Sequence, residues 1–176
     1  MDEPVPLILT LELDPALFVL LNSLREAHFP PERNLVPAHI TLFHALPGAE
    51  AGPIADHLAT YAAHTTPLPL ALPAVRFLGC GVALEVVSPG LVALRYTLAQ
   101  AWAPWLSRQD QQRYRPHVTI QNKVPPEVAR RLYNELAPRW QALAGRGEGL
   151  CLWHYRGGPW ELAARFPFSD TTTRTE

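Results

Sequence analysis

One short pattern occurs twice in this chain, first as Ala38-His39-Ile40-Thr41-Leu42 and again as Pro116-His117-Val118-Thr119-Ile120. In an extended strand, successive side chains alternate between the two faces of the sheet. The histidine and the threonine of each stretch therefore share one face, and the aliphatic residues share the other. Each stretch is predicted to be a β-strand with an apolar face for a core and an imidazole and a hydroxyl on the opposite face.

The surroundings of the two stretches also repeat. Each stretch is preceded by a strand, a capping residue followed by proline, a helix and a polar loop, and the capping pairs are Asp14-Pro15 and Ser88-Pro89. Each is followed by a turn with proline, a helix and two strand-like runs, which are split by Gly79-Cys80-Gly81 in the first half and by Gly157-Gly158 in the second. Such a repeat makes the two strands equivalent neighbours about a pseudo-twofold axis.

Apolar periodicity and turn residues predict the elements between these landmarks. Helices are expected over residues 15–28, 49–63, 89 to 102 or 106, and 126–144, with Pro138 bending the last one. Strand pairs are expected over residues 68–78 with 82–87 and 150–155 with 160–168, in addition to an early strand over 7–13. The glycine-rich segment 145–149 is expected to be the connection that leads into the last strand pair.

The composition is that of an ordinary globular protein. A chain of 176 residues forms one domain, or two small lobes that share one core. With 48% hydrophobic and 18% charged residues it does not have the composition of a disordered protein. The net charge of −1 gives no general attraction to polyanions, so tight binding to long nucleic-acid duplexes is not expected.

The two cysteines, Cys80 and Cys151, show neither a metal-binding spacing nor a disulfide framework. The first residues, Met1-Asp2-Glu3-Pro4, do not have the pattern of a secretory signal, and the longest apolar runs are shorter than a membrane span. We therefore expect a reducing, cytoplasmic location and no transmembrane segment.

Two imidazoles that face one cleft can act as a general acid and a general base, because their usual pKa lies near neutral pH. This pairing suits in-line displacement at phosphorus, in which one histidine accepts the proton of the attacking oxygen and the other protonates the leaving oxygen. Thr41 and Thr119 place hydroxyl donors near the non-bridging oxygens of the phosphate. The sequence thus predicts His39 and His117 as catalytic residues, with no metal or cofactor required.

Other chemistries match the sequence less well. A single His-x-Thr is typical of a hydrogen-bonded structural histidine, and it is the duplication that favours function. Zinc is the main alternative, since two or three histidines can bind it, but no His-Glu-x-x-His, Cys-x-x-Cys or carboxylate cluster completes a ligand set. A Ser-His-Asp mechanism is disfavoured because no Gly-x-Ser-x-Gly motif is present.

Basic residues near the second stretch are candidate contacts to an anionic substrate. Arg113 and Arg115 belong to the most polar run of the chain, which is either a solvated connection or part of the site. Lys123 is the single lysine, and with Gln121 it is expected to share the face of His117. A phosphate contact by Lys123 and a merely solvent-facing position both remain open.

Aromatic residues can stack on a nucleobase. Phe43 is expected to share the face of His39, and Tyr155 lies close to the second glycine turn. Each is either a base platform or a packing residue. His44 is expected on the face of Ile40 and Leu42, away from His39, and is interpreted as a structural or strand-end histidine.

The chain resembles the two-histidine (2H) phosphoesterase superfamily in His39-Ile40-Thr41-Leu42 and His117-Val118-Thr119-Ile120, which are separated by 78 positions (117 − 39). Within that superfamily it is similar to the bacterial 2′-5′ RNA ligase and RNA 2′,3′-cyclic phosphodiesterase group. The resemblance implies an α+β fold of two similar lobes, each with an antiparallel sheet and outer helices, around a central cleft that carries both motifs. The corresponding domain covers residues 1–168, with repeat halves 39–88 and 117–168, lead-ins 5–38 and 89–116, and a disordered tail over 169–176.

The resemblance also implies an activity. In family members that hydrolyse cyclic phosphates, the counterpart of His117 activates water and that of His39 protonates the departing ribose 3′ oxygen, and symmetry allows these roles to exchange. The expected partner is a nucleotide or RNA end with a cyclic phosphate, with no membrane and no obligate protein partner. A binding module for nucleotides or RNA ends, with weak or no turnover, is the alternative.

Overall fold

The computed structural model describes residues 4–170, and within them it contains eight β-strands and four α-helices. The strands are β1 (Leu7–Leu13), β2 (Ile40–Leu46), β3 (Leu68–Leu72), β4 (Val75–Phe77), β5 (Val82–Glu85), β6 (His117–Gln121), β7 (Leu143–His154) and β8 (Glu161–Pro167). The helices are α1 (Pro15–His28), α2 (Ala51–Ala63), α3 (Pro89–Ala101) and α4 (Pro126–Leu136). Most of the tail predicted to be disordered, residues 171–176, lies outside the described residues.

The strands form two antiparallel sheets. The five-stranded sheet has the order β2-β1-β7-β3, and β8 also pairs with β7, C-terminal to the residues of β7 that pair with β3. The three-stranded sheet has the order β4-β5-β6. The first His-x-Thr stretch therefore belongs to one sheet and the second to the other, and both lie on edge strands. The predicted α+β class with two antiparallel sheets is confirmed, while the division of the sequence into repeat halves stays a prediction.

Both predicted capping devices are present. The Asp14 carboxylate accepts a hydrogen bond from the Leu17 amide at 2.9 Å, and the Ser88 hydroxyl accepts one from the Leu91 amide at 3.3 Å. Each capping residue satisfies an amide that has no partner inside its helix, and the proline that follows supplies a backbone angle suited to the first helical position. Helix α1 then packs against β6 of the three-stranded sheet as well as β7 of the other, so it joins the two sheets.

Three predicted boundaries differ from the structure. The run over 68–78 is divided after Leu72, because its two parts join different sheets. Helix α4 ends at Leu136, and a short 3-10 turn containing Pro138 follows it. The glycine-rich segment 145–149 is strand, not connection, because β7 pairs through it with β3 and β1. A Cβ atom at Gly147 would lie 2.6 Å from Leu11 Cδ2, so glycine is what allows this close approach.

The apolar faces of both sheets and the helices form one contiguous core, whose largest fully buried side chain is that of Trp102. Among the helices of residues 4–170, none combines the length and the apolarity needed to cross a lipid bilayer. Cys80 is exposed and Cys151 is buried, and both are free thiols.

Two buried arginines connect helices to the His-x-Thr strands in a reciprocal way. Arg25 of α1 donates to the Thr119 carbonyl oxygen of β6 at 2.9 Å, although α1 precedes β2 in the sequence. Arg95 of α3 donates to the Leu42 carbonyl oxygen of β2 at 2.8 Å, although α3 precedes β6. Each motif strand is thus held by the helix that leads into the other one.

Candidate active site

The two His-x-Thr pairs meet in one cavity of about 160 Å³. Its polar lining comes from both sheets, since His39 and Thr41 lie at the start of the β2 segment whereas His117 and Thr119 lie on β6. The aliphatic residues of the same strands, Ile40 and Val118 among them, are fully buried on the opposite face. The alternation predicted for these two stretches is therefore observed, and it brings residues 78 positions apart (117 − 39) to one small cavity.

The two catalytic candidates are held in the same way. His39 Nδ1 lies 2.7 Å from the carbonyl oxygen of Pro37, and His117 Nδ1 lies 2.9 Å from that of Arg115. A carbonyl oxygen can only accept, so in each ring Nδ1 carries the proton and donates it. The Nε2 atom of each neutral ring is therefore unprotonated, and it is the nitrogen left free to exchange a proton with a substrate.

The environment of both rings disfavours their charged forms. Burial lowers the pKa of His39 from 6.5 to about 4, and the positive charges of Arg25 and of a protonated His117 act in the same direction. Burial also lowers the pKa of His117, assisted by the charge of Arg76. In both rings the backbone hydrogen bond at Nδ1 opposes the shift without cancelling it.

A bulge in β2 corrects two expectations about the residues after Thr41. Thr10 pairs with Thr41 while the preceding Leu9 pairs with Phe43, so one extra residue lies between these two pairs on β2. The alternation shifts there by one position. Phe43 is consequently 0% exposed and packs on Trp102, so the prediction that it shares the face of His39 is wrong. Of the two roles left open for it, base platform and packing residue, the structure shows the packing residue.

The same bulge turns His44 toward the catalytic candidates. His44 lines the cavity together with His39 and His117, so the prediction that it lies on the core face with Ile40 and Leu42 is wrong. Its Nδ1 lies 3.0 Å from the carboxylate of Asp110, a buried residue that sequence reasoning did not single out. Neither residue belongs to a recognisable motif, and only the position five residues after His39 could have drawn attention to His44.

A second irregularity occurs at the matching place in β6. Ala83 pairs with Thr119 and Val82 pairs with Gln121, so β6 also has one extra residue. Gln121 is therefore buried and not on the face of His117 as expected. Lys123 is exposed, adopts a left-handed backbone with φ of 60°, and does not line the cavity.

Trp160 is the aromatic residue that the structure brings to the site. Its ring centroid lies 4.7 Å from that of His39. Trp160 and His39 also line a neighbouring cavity of about 380 Å³, whose walls are mostly apolar. Those walls include Phe18 of α1, Leu35 of the following loop and Trp153 of β7. Tyr155, for which the sequence left a base platform and a packing residue open, is exposed and lines neither cavity.

Arginines surround the opposite side of the site. Arg113 and Arg115, both predicted contacts, line a third cavity of about 510 Å³ together with Arg76 and with His117 itself. Within residues 4–170, the one ion pair that these arginines make is that of Arg115 with Glu85, at 3.5 Å. The buried Arg76 Nε has no hydrogen-bond partner among these residues. This side of the site therefore offers positive charge that the protein leaves largely uncompensated.

No cluster of three or more His, Cys, Asp and Glu side chains in the described part of the chain is arranged to hold a metal ion.

Solved structures share this fold. TT0787 of Thermus thermophilus superposes with a TM-score of 0.65 and 17% identity, covering 93% of this chain and 97% of that one. E. coli LigT complexed with NADP+ and LigT complexed with 3′-AMP give TM-scores of 0.59 and 0.58 at 19% identity, and each comparison covers 96% of this chain and 100% of LigT. No curated protein matches the sequence.

The sequence also matches a family model. The match extends over residues 13–159 and includes both His-x-Thr stretches. The predicted resemblance to the two-histidine phosphoesterases is thereby confirmed, and the chain belongs to the 2′-5′ RNA ligase superfamily.

Proposed function

We propose that this chain is a metal-independent phosphodiesterase that hydrolyses 2′,3′-cyclic phosphates on RNA ends or small nucleotides. The observation that carries the proposal is the matched pair of imidazoles. His39 and His117 line one cavity, each donates from Nδ1 to a backbone carbonyl, and each keeps Nε2 for the substrate. Two such groups supply both proton transfers that the reaction requires.

In the proposed reaction, His117 Nε2 accepts a proton from water as the water oxygen attacks phosphorus. The bond from phosphorus to the ribose 3′ oxygen breaks, and protonated His39 transfers its proton to that oxygen. The product is a 2′-phosphate, and the two histidines end with exchanged protonation states. The same steps with the 5′-hydroxyl of a second RNA in place of water give a 2′-5′ linkage, with the two histidines in the same roles. In the reverse reaction the 3′-hydroxyl attacks that linkage and the 5′ oxygen leaves, so the two histidines exchange roles.

The two cavities beside the site support a nucleotide as substrate. The apolar cavity next to His39 offers Trp160 to a nucleobase, and stacking of a base on an aromatic side chain is favourable for any base. The arginine-lined cavity next to His117 suits further phosphate groups. The LigT structures named above contain nucleotides, 3′-AMP and NADP+, which agrees with a nucleotide ligand here.

The test is a screen of 2′,3′-cyclic nucleotides and short RNAs ending in a cyclic phosphate, with and without a chelator. Phosphorus NMR identifies the product as a 2′- or 3′-phosphate. The proposal predicts a 2′-phosphate and equal rates with and without chelator. Turnover that the chelator abolishes would instead indicate a metal-dependent hydrolase.

A nucleotide-binding module with weak turnover is the second candidate. The low pKa of His39, about 4, favours it, because a neutral ring cannot act as the acid and the charged form is scarce at neutral pH. The two candidates separate when binding of adenosine 2′-phosphate and hydrolysis of the cyclic nucleotide are measured on the same sample. Binding without detectable hydrolysis at every pH supports the module.

The pH dependence of hydrolysis is a direct consequence of the two low pKa values. Activity requires one ring protonated and the other neutral, so kcat/KM should be largest between the pKa of His39, about 4, and that of His117, which is lowered below 6.5. Above this range the protonated acid becomes about tenfold scarcer with each pH unit. Steady-state kinetics from about pH 4 to 9 checks this, and a flat profile between about pH 5 and 9 would count against two imidazoles.

A separate prediction concerns base binding in the apolar cavity. Trp160→Ala should raise KM for a cyclic nucleotide by about tenfold, because the base loses a stacking surface. Tyr155→Ala is the matched control, since this exposed aromatic residue lines neither cavity, and it should leave KM unchanged. An equal effect of the two substitutions on KM would contradict the binding of the nucleobase in this cavity.

A further inference from the structure

The bulge in β2 gives the site a third imidazole, which the reaction proposed above does not use. His44 lines the same cavity as His39 and His117, and its side chain is 42% exposed. It also lines the arginine-rich cavity, so it lies where the two cavities join. A ring in this position can reach a phosphate that both catalytic candidates contact.

A buried carboxylate fixes the orientation of that ring. The side chain of Asp110 is 1% exposed, and it accepts the Nδ1 proton of His44 at 3.0 Å. The same carboxylate accepts the backbone amides of His44, at 2.9 and 3.0 Å to its two oxygens, and of Ala45, at 3.0 Å. Burial raises the pKa of Asp110, but these hydrogen bonds outweigh burial and hold the pKa below its ordinary value.

The carboxylate is itself rigidly placed. Arg95 donates to the Asp110 carbonyl oxygen at 2.6 Å and to the Leu42 carbonyl oxygen at 2.8 Å, so one guanidinium fixes both the loop and the bulge. Within residues 4–170, His44 is the one side chain that hydrogen-bonds the Asp110 carboxylate. No protein atom there bonds His44 Nε2, at the opposite edge of the ring.

His44 thus differs from the other two histidines in its partner. Their Nδ1 atoms bond to neutral carbonyls, whereas that of His44 bonds to an anion. When an anionic phosphate arrives at Nε2, the ring lies between two negative charges, and an imidazolium can donate to both. The charged and titratable groups that face the ring are those of the two cavities: Asp110, His39, His117, Arg76, Arg95, Arg113, Tyr114 and Arg115.

We infer that His44 is a phosphate-binding residue that donates from Nε2 to a non-bridging oxygen as an imidazolium, with one proton taken up from solvent, and that Asp110 is its positioning residue. The inference deepens the proposed function and rests on it for the identity of the substrate. Because the bond grows stronger as charge builds on the oxygens in the transition state, His44 should affect kcat as well as binding.

The test measures two quantities on the same variants: binding of inorganic phosphate by calorimetry, and hydrolysis of a 2′,3′-cyclic nucleotide. His44→Ala should weaken phosphate binding about 10- to 100-fold, the usual effect of losing a charged hydrogen bond. The matched control is His64→Ala, which removes an exposed ring that bonds only the Thr60 carbonyl oxygen and lines no part of the site. It should leave both quantities unchanged.

Asp110→Asn tests the positioning role. It should weaken phosphate binding in the wild-type background and have no further effect when His44 is already alanine, whereas a merely structural role would weaken binding in both backgrounds. If Asp110→Asn does not fold, His44→Ala alone still tests the phosphate contact. Removal of this exposed ring leaves the hydrogen bonds from the backbone amides of residues 44 and 45 to the Asp110 carboxylate in place.

The two measurements separate the two proposals. If the wild type hydrolyses no cyclic phosphate but His44→Ala loses phosphate affinity, the proposed activity is rejected and phosphate binding by His44 is supported. If hydrolysis occurs and His44→Ala binds phosphate and turns over like the wild type, the activity is supported and phosphate binding by His44 is rejected. A wild type that binds no phosphate, or an equal loss in His64→Ala, overturns the inference.

Discussion

Replacing His117 by alanine should lower the rate of cyclic phosphate hydrolysis by about 10²- to 10⁴-fold, and replacing His39 should do the same. Each substitution removes one of the two proton transfers that the proposed reaction requires from the histidines of the 160 Å³ cavity. The stability of the protein should change little, since both rings are partly exposed and their Nδ1 partners are carbonyls that water can reach.

The double variant sharpens this experiment. Two residues that act in one step are far from additive, so His39→Ala with His117→Ala should be hardly slower than the worse single variant. Circular dichroism and thermal unfolding show whether the fold is kept, and His64→Ala serves again as the control. Retained turnover in both single variants would reject the two-imidazole mechanism, whatever the product.

Much of this site could be predicted from the sequence because a strand has a fixed period of two. That period alone places His39 with Thr41 and His117 with Thr119, opposite the aliphatic residues of each stretch. The starts of the helices after Asp14 and Ser88 could also be predicted, since capping is a local interaction between neighbours in the chain.

The positions of the residues after each motif could not be predicted, because the period of two fails where a strand contains a bulge. One extra residue in a strand reverses the alternation for everything that follows it, and the bulges in β2 and β6 depend on pairing with β1 and β5, not on a local signal. Phe43 and Gln121 therefore turned inward, and His44 turned toward the site. Trp160 was missed because its approach to His39 depends on how β7 and β8 are placed against β2.

The two sides of the site differ, although the two sequence motifs are alike. The two motifs are nearly equivalent, yet an apolar cavity adjoins His39 and an arginine-lined cavity adjoins His117. If a nucleoside occupies the apolar side, its ribose lies nearer to His39 than to His117, and the side of His117 remains for water or for a second, phosphorylated group. This asymmetry supports the proposed roles of acid for His39 and base for His117.

Removal of either reciprocal arginine, Arg25 or Arg95, should lower the stability of the protein substantially. Arg95→Met keeps most of the volume that packs on Phe43, where the guanidinium carbon lies 3.9 Å from the ring centroid. It leaves the buried carbonyl oxygens of Leu42 and Asp110 without their donor, and the free energy of unfolding should fall by about 2–4 kcal/mol. Arg25→Met should cost a similar amount, about 2–4 kcal/mol, through the Thr119 carbonyl and the Asn34 side chain.

Denaturant unfolding of these variants, with exposed Arg139→Met as the control, measures the effect. The two arginines affect more than stability, because Arg95 holds the β2 bulge that turns His44 into the cavity, whereas Arg25 holds β6 beside Thr119. Arg95→Met should therefore weaken phosphate binding in wild type more than in His44→Ala, while Arg25→Met weakens it equally in both. A loss of less than about 0.5 kcal/mol in both single variants would show that water satisfies these carbonyls instead, and that neither helix braces the strand across the cleft.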